Sequence, residues 1–302
     1  MSTDYNDLNI YQTPRGGCPL CGSNGLALLY EIKNYSPNFK VDRCSSCGFI
    51  FMNPLFQEGI FKSMYEEDYY SGKAEYSYCD ERRAKKYFNY VWDKRIEIIR
   101  KYVSSGNFLD IGSSFGGLLE SASRYYKPFG IEVSGYASNY SKRIFGESIH
   151  NGTIHDHPFS SDFFSVITMV ELIEHIEDPA FAIKECYKLL KDGGVLLVQT
   201  ANMNGLQARI LGDKYAYYMP GHISYFSAEN LCDLLKKAGF KRVKVFYPVE
   251  FGLLPKLLKS RNSFESKFDY FKWLKIASYH MLGKIHFNNF AMMSSMVVFA
   301  FR

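Results

Sequence analysis

From Asn107 onward the sequence alternates short apolar runs with helical segments, and no other feature limits the possible folds as strongly. FLDIG, FGIEV, FFSVITMV, GVLLVQT and KRVKVFYPVE each have the length and texture of a buried strand, and each is followed by turn signals. Strand and helix in strict alternation give a doubly wound α/β fold of Rossmann-like type, with a largely parallel sheet. The punctuation agrees: Asp178 reads as a helix N-cap with Pro179 at the first helical position, and KDGG closes that helix. The terminal SSMVVFAFR reads as a last strand.

Ahead of this region four of the seven cysteines fall in two matched pairs, Cys18 and Cys21 in CPLCG, Cys44 and Cys47 in CSSCG. Two Cys-x-x-Cys knuckles, each followed by a glycine that relieves the turn, are the pattern of a four-thiolate zinc site. Such a site has no open coordination position, so the zinc expected here is structural. Residues 1–56 therefore form a zinc-ribbon module, too small to hold a core without its metal. Residues 57–105 read as a helical linker whose main helix, RRAKKYFNYVWDKRIEIIRKYV, packs on the next domain, and residues 106–302 form that domain.

At 302 residues, with 47% apolar and 22% charged positions, the chain has the composition of a folded globular protein and not of a disordered one. Its formal charge of +5 is too small, for this length, to demand a nucleic-acid partner; no DNA is expected and RNA is a minor alternative. A secretory signal and a long uninterrupted apolar run are both absent from the sequence, which places the expectation in the cytoplasm. The Lys-rich, aromatic stretch at about 251–292 reads as an inserted lid or cap. Peripheral contact with a membrane or a lipid-linked substrate is the competing reading.

FLDIGSSFGG, Phe108 to Gly117, is a buried strand with an acid at its end and a small-residue loop opening a helix. In a doubly wound fold this turn is where the nucleotide part of a cofactor docks. Asp110 ahead of Gly112, Ser114 and Gly116 suits a cationic ligand better than a pyrophosphate, which argues against a nicotinamide dinucleotide. Glu132, at the end of the next strand in GIEVSGYA, is placed to hold two ribose hydroxyls. Taken singly, either carboxylate is equally well a loop cap.

With these motifs in order, the chain resembles the class I S-adenosylmethionine-dependent methyltransferases, closely over about 105–250. It looks most like a bacterial subgroup with an N-terminal zinc ribbon and a segment of the type GLQARILGDKYAYYMPGHISYFSAENLCDLLKKAGF, many of whose members modify cell-surface saccharides or secondary metabolites. The resemblance implies S-adenosylmethionine as cofactor. Asp110, Gly112, Ser114 and Gly116 would surround its methionine part and Glu132 its ribose. Thr153 and Ile154 would flank adenine, with Thr153 in place of the usual acid, and Met169 and Val170 would line the cofactor from the other side.

MVELIEHIEDP then falls at the end of the fourth strand, beside the transferable methyl. Glu171, Glu174 and His175, with His222 from PGHISYF, admit three readings: His175 as a general base, a second divalent cation held by carboxylate and imidazole, or hydrogen-bonded anchoring of the loop. The expected acceptor is a small molecule or saccharide, most simply a hydroxyl of a cell-surface glycan or of a nucleotide-sugar or lipid-linked intermediate. Alternatives are a zinc-ribbon RNA methyltransferase, a deoxysugar C-methyltransferase and an inactive cofactor-fold scaffold. The RNA reading is weakened because the fourth strand ends in MVEL and not in an Asn-Pro-Pro-Tyr type of signature.

Overall fold

The computed structural model of the protein describes residues 10–60 and 80–247 and, with interruptions, positions from 271 to 302. The insertion expected at about 251–292 therefore lies almost wholly outside the described residues.

The chain opens with three antiparallel strands, β1 (Leu26–Ile32), β2 (Phe39–Cys44) and β3 (Ile50–Met52). Helix α1 (Lys85–Ile99) follows and leads into the alternating region. There the order is β4 (Asn107–Ile111), α2 (Gly117–Ala122), β5 (Lys127–Glu132), α3 (Gly135–Phe145), β6 (Ile149–Asn151), β7 (Phe164–Val170), α4 (Pro179–Leu189), β8 (Leu190–Ala201) and α5 (Leu206–Leu211). The last elements are β9 (Ser224–Tyr225), α6 (Ala228–Lys237), β10 (Arg242–Phe246), a short hairpin of β11 (His286–Phe287) and β12 (Phe290–Ala291), and β13 (Ser295–Phe301). Asp178 caps α4 as its sequence position predicts, accepting from the Phe181 amide at 2.9 Å, with Pro179 as the first helical residue.

Seven strands form one sheet in the order β10-β13-β8-β7-β4-β5-β6. The run from β8 to β6 is parallel, and β13 inserts antiparallel between β8 and β10. The chain therefore runs outward from β4 through β5 to β6 and then returns to place β7 on the other side of β4. This reversal opens a crevice at the carboxyl ends of β4 and β7, the place where open α/β sheets bind ligands.

Apolar clusters cover both faces of the sheet. On one, Trp92, Ile96 and Ile99 of α1 pack with Leu118 and Leu119 of α2 on Phe108, Val195 and Phe299, so α1 lies against this face of the sheet. On the other, Ile183 and Cys186 of α4 and Leu231 and Leu235 of α6 meet Leu109, Ile167 and Leu196. Phe108, Phe164 and Phe299 are all but fully enclosed, and burying each such side chain contributes roughly 1.5–3 kcal/mol. The N-terminal strands are continuous with this core: Cys18, Cys44, Phe49 and Phe51 share the second cluster with Phe226, and β9 supplies a fourth strand to the small N-terminal sheet beside β3.

Candidate active site

The two knuckles have the same local geometry. The Cys18 carbonyl accepts from Gly22 N at 2.8 Å and the Cys44 carbonyl from Gly48 N at 2.9 Å, with both glycines at positive φ, 75° and 71°. Sulfur atoms of Cys18 and Cys47, and of Cys21 and Cys44, lie 3.6 Å apart, far beyond disulfide length. A zinc ion with bonds of about 2.3 Å to four tetrahedral thiolates sets sulfur atoms about 3.8 Å apart. The four cysteines fit that requirement, and their sulfurs cluster as a possible metal site.

At the crevice, the loop after β4 is pinned by its backbone. Gly112 N and Ser113 N both donate to the Ile131 carbonyl of β5, and Gly116 N donates to Ser113 O. Ser114 holds a positive φ of 47° and Gly116 one of 85°. A side chain at Gly116 would also meet the Phe145 ring at 2.8 Å, so glycine is required there for space as well as for conformation. Glu132 ties this turn to the start of α3, its Oε2 accepting from Ser114 N and its Oε1 from Ser134 N, each at 2.8 Å. Asp110 is buried and accepts from Thr168 Oγ1 of β7 at 2.6 Å. Burial, and then the carboxylates of Glu81 and Glu132 against the counteracting Thr168 bond and Arg95, push its carboxyl up to about 8.

Two buried hydroxyls in this loop, Ser113 Oγ and Ser114 Oγ, have no hydrogen-bond partner. Orphaned polar groups beside buried acids and a turn held close to the backbone are what a polar, cationic ligand would complete. Thr153, Ile154, Met169 and Val170 stand nearby at strand ends. Ile154 and Met169 are enclosed in the core, Thr153 is exposed and Val170 half-buried. Asp156 Oδ1 accepts from Thr153 N at 2.6 Å and Thr153 Oγ1 at 3.0 Å. These bonds hold the Asp156 carboxyl below its usual range.

The segment after β7 turns sharply. Glu171 has φ 50°, an unusual conformation for a non-glycine residue, and the following turn buries Glu174 completely. Glu174 accepts from Tyr217 OH at 2.5 Å and from Thr200 Oγ1 at 3.0 Å. His175 Nδ1 lies 2.7 Å from the Gly221 carbonyl and His222 Nδ1 2.8 Å from the Tyr217 carbonyl. A carbonyl only accepts, so both Nδ1 atoms carry the proton and Nε2 is the basic nitrogen of each ring. Burial lowers the pKa of both histidines, His222 the more strongly, so the rings are neutral near pH 7. They meet edge to face at 4.6 Å, and one ligating atom each from Glu174, His175 and His222 lies within 4.8 Å of the others.

Glu171 interacts with Glu174 and adds a second chain of contacts. Its Oε1 accepts from Gln199 Nε2 at 2.8 Å, and Gln199 Oε1 accepts from the buried Arg95 at 2.7 Å. The surrounding protein mass and then Glu174 push its carboxyl up, to about 8, an effect moderated by the water that reaches its exposed side chain. Arg95 and Gln199 escaped the sequence reading. A single glutamine inside the apolar run VLLVQTA was the signal available for one of them.

The sequence profile of a family described as a methyltransferase domain matches residues 81–245. The chain belongs to that family. The methyltransferase is 24% identical over 160 residues to an uncharacterized protein of Methanocaldococcus jannaschii, an alignment covering 51% of this chain and 74% of that one. It is 29% identical over 113 residues to a ubiquinone biosynthesis O-methyltransferase of Cereibacter sphaeroides, covering 34% of this chain and 46% of the relative, so less than half of that enzyme is matched. Among solved structures, phosphoethanolamine N-methyltransferase 2 of Haemonchus contortus, in complex with S-adenosyl-L-methionine, superposes with a TM-score of 0.51 at 15% identity. That superposition spans 84% of this chain and 62% of that one and shows a shared fold. S-adenosylmethionine is the cofactor of the family, and the loop carboxylates and orphaned serine hydroxyls fit it. Among the described residues, no helix is long and apolar enough to cross a membrane.

Proposed function

We propose that the methyltransferase modifies a hydroxyl of a small-molecule or saccharide acceptor, with His175 as the base that removes the hydroxyl proton. When bound, S-adenosylmethionine supplies an electrophilic methyl group on a sulfonium; Asp110, Ser113, Ser114 and Glu132 would hold it. The observation that carries the reading is the imidazole of His175. Neutral, with Nδ1–H tied to Gly221 and Nε2 basic, it sits on the segment that leaves the carboxyl end of β7 beside the crevice. A hydroxyl is a poor nucleophile at neutral pH, and a base fixed in this tautomer is what its activation requires. Oxygen as acceptor is supported by the relative whose name specifies O-methylation. The saccharide class rests on the resemblance of the two-knuckle front end and the segment from Gly205 to Phe240 to a subgroup many of whose members modify cell-surface saccharides.

A second reading has one observation in its favour: Glu174, His175 and His222 converge closely enough to share a divalent cation. Each histidine donates Nδ1–H to a backbone carbonyl, as metal-bound histidines commonly do. Against it, both Glu174 oxygens already accept from hydroxyls, which accounts for the cluster as an anchor for the loop.

One experiment separates these. Wild-type protein and His175→Ala are incubated with methyl-labelled cofactor and fractionated nucleotide sugars, lipid-linked saccharides and RNA, with and without EDTA. The base reading expects label in a saccharide or small-molecule pool, a fall of about 10²–10⁴-fold for His175→Ala with cofactor affinity retained, and indifference to EDTA. Loss of turnover in EDTA, restored by magnesium or manganese while the thiolate zinc stays bound, establishes the second reading instead. Label in RNA alone rejects the acceptor assignment.

A further inference from the structure

Three buried acidic side chains surround the glycine-rich loop. Glu132 and Asp110 come from the strands on either side of it. A third carboxylate, Glu81, reaches it from the turn that precedes α1, a region with no obvious claim on the site. Glu81 is 5% exposed. Its Oε1 accepts from Gly117 N at 3.0 Å, at the start of α2, and its Oε2 from Trp92 Nε1 at 3.0 Å.

Both oxygens face fixed N–H donors, so the hydrogen-bond pattern suits the ionised carboxylate and gives a carboxyl proton nowhere to go. Burial, with Asp80 and Glu120 nearby, pushes the other way and raises its pKa. The charged groups around it do not resolve this conflict. Asp80 is occupied by Arg82, whose guanidinium lies 3.7 Å over the Phe115 ring, and Glu120 is paired with Lys85 on the exposed side. The buried guanidinium of Arg95 acts on Asp110 and is hydrogen-bonded to Gln199. Among the described residues, three enclosed acids face one enclosed guanidinium, so the cage becomes negative as its carboxyls ionise around a cation.

We propose that Glu81 is a charge-selecting residue of the cofactor site: with Asp110 and Glu132 it forms an anionic cage that prefers the sulfonium of S-adenosylmethionine over the neutral thioether of S-adenosylhomocysteine. The two molecules differ at the sulfur by one methyl group and one positive charge. Hydrogen bonds from the loop treat them alike, whereas a buried negative potential does not. Glu81 touches the loop backbone and not the cofactor's own atoms, so it acts through the potential and through Gly117. The consequence is a site that takes up the charged methyl donor and lets the spent product go.

The proposal rests on the cofactor assignment, and its test separates the two. Calorimetry of the full-length, zinc-loaded protein with each ligand gives two affinities for wild type, Glu81→Gln and Glu81→Asp. Glu81→Gln is expected to weaken S-adenosylmethionine about tenfold and S-adenosylhomocysteine less than about threefold, the size of effect that one nearby charge exerts. Glu81→Asp keeps the preference even if both affinities drop. Equal losses for the two ligands in Glu81→Gln would show a merely structural role and overturn the proposal, as would no change. Should Glu81→Gln not fold, wild type alone decides through titrations near pH 7 in buffers of different ionisation heat. S-adenosylmethionine should release more protons on binding than S-adenosylhomocysteine, because the cation draws the cage carboxyls into their ionised forms; equal release overturns the proposal. Wild-type protein that binds neither ligand overturns the cofactor assignment itself.

Discussion

Gly117 is fixed by what lies over it. A methyl group there would sit 2.3 Å from Glu81 Oε2 and 2.8 Å from Trp92 Nε1, in a corner closed by buried side chains. Gly135, at the start of α3, would meet nothing within 4 Å. Gly117→Ala should therefore lower stability by about 1–3 kcal/mol, the usual cost of overpacking, and should weaken cofactor binding by expelling Glu81 from the Gly117 amide. Gly135→Ala should be neutral or slightly stabilising. Denaturant titrations with cofactor affinities for both variants check this, and a Gly117→Ala protein of wild-type stability and affinity would remove Glu81 from the site. The same corner shows what the sequence makes legible. Asp110 and Glu132 are readable because they stand at strand ends whose meaning follows from the fold. Glu81 stands just ahead of the helix read from the sequence, and only folding brings it to Gly117, thirty-six positions away. The bond from Thr153 to the Asp156 carboxylate is likewise invisible in a linear pattern, since it depends on the turn after β6.

Strand β9 is only two residues long, yet it joins the four-cysteine N-terminal sheet to the candidate chemistry. Ile50 and Phe51 of β3 pair with Tyr225 and Ser224, Met52 N donates to Ile223 O at 2.9 Å, and Ile223 N donates to Glu174 O at 2.8 Å. Asn230 Nδ2 adds a bond to Cys47 O at 2.8 Å. A continuous backbone path therefore runs from the thiolate cluster to the loop that carries Glu174, His175 and His222. The cysteine spacing and the strand alternation were legible because each is a local pattern. This junction was not, since a two-residue strand has no periodicity to detect and its partner lies far away in sequence. Cys44→Ser should lose zinc and melt the ribbon, because structural zinc supplies folding free energy that so small a sheet lacks. The loss should pass along the path: amide exchange at residues 222–225 should accelerate and methyl transfer should fall more than cofactor affinity, since Asp110 and Glu132 belong to the far side of β7. Unchanged exchange at 222–225 would show that the ribbon and the loop are mechanically independent.

For the molecule as a whole, the crevice concentrates ionisable groups of opposite sign behaviour, and that gives its stability a readable pH dependence. His175 and His222 have depressed pKa values, so they cost stability below their ordinary value of 6.5 and nothing well above it. Asp110 is raised from 3.8 to about 8; the folded state holds a proton that the unfolded chain has already lost, and stability falls as pH rises toward and through about 8. Glu171 acts in the same direction, less strongly because water reaches it. Between pH 7 and 8.5 the histidines are already neutral and the carboxyls are being forced to ionise. The ligand-free protein should lose stability over that interval, by about 1 kcal/mol from Asp110 alone, a slope that Asp110→Asn should remove in part. Saturating S-adenosylmethionine, whose charge offsets the ionised carboxylates, should flatten the decline. Thermal unfolding across this interval, with and without ligand, measures all three. A ligand-free stability that rises with pH, or a slope as steep in Asp110→Asn as in wild type, would mean that the crevice is already ionised and neutralised from within.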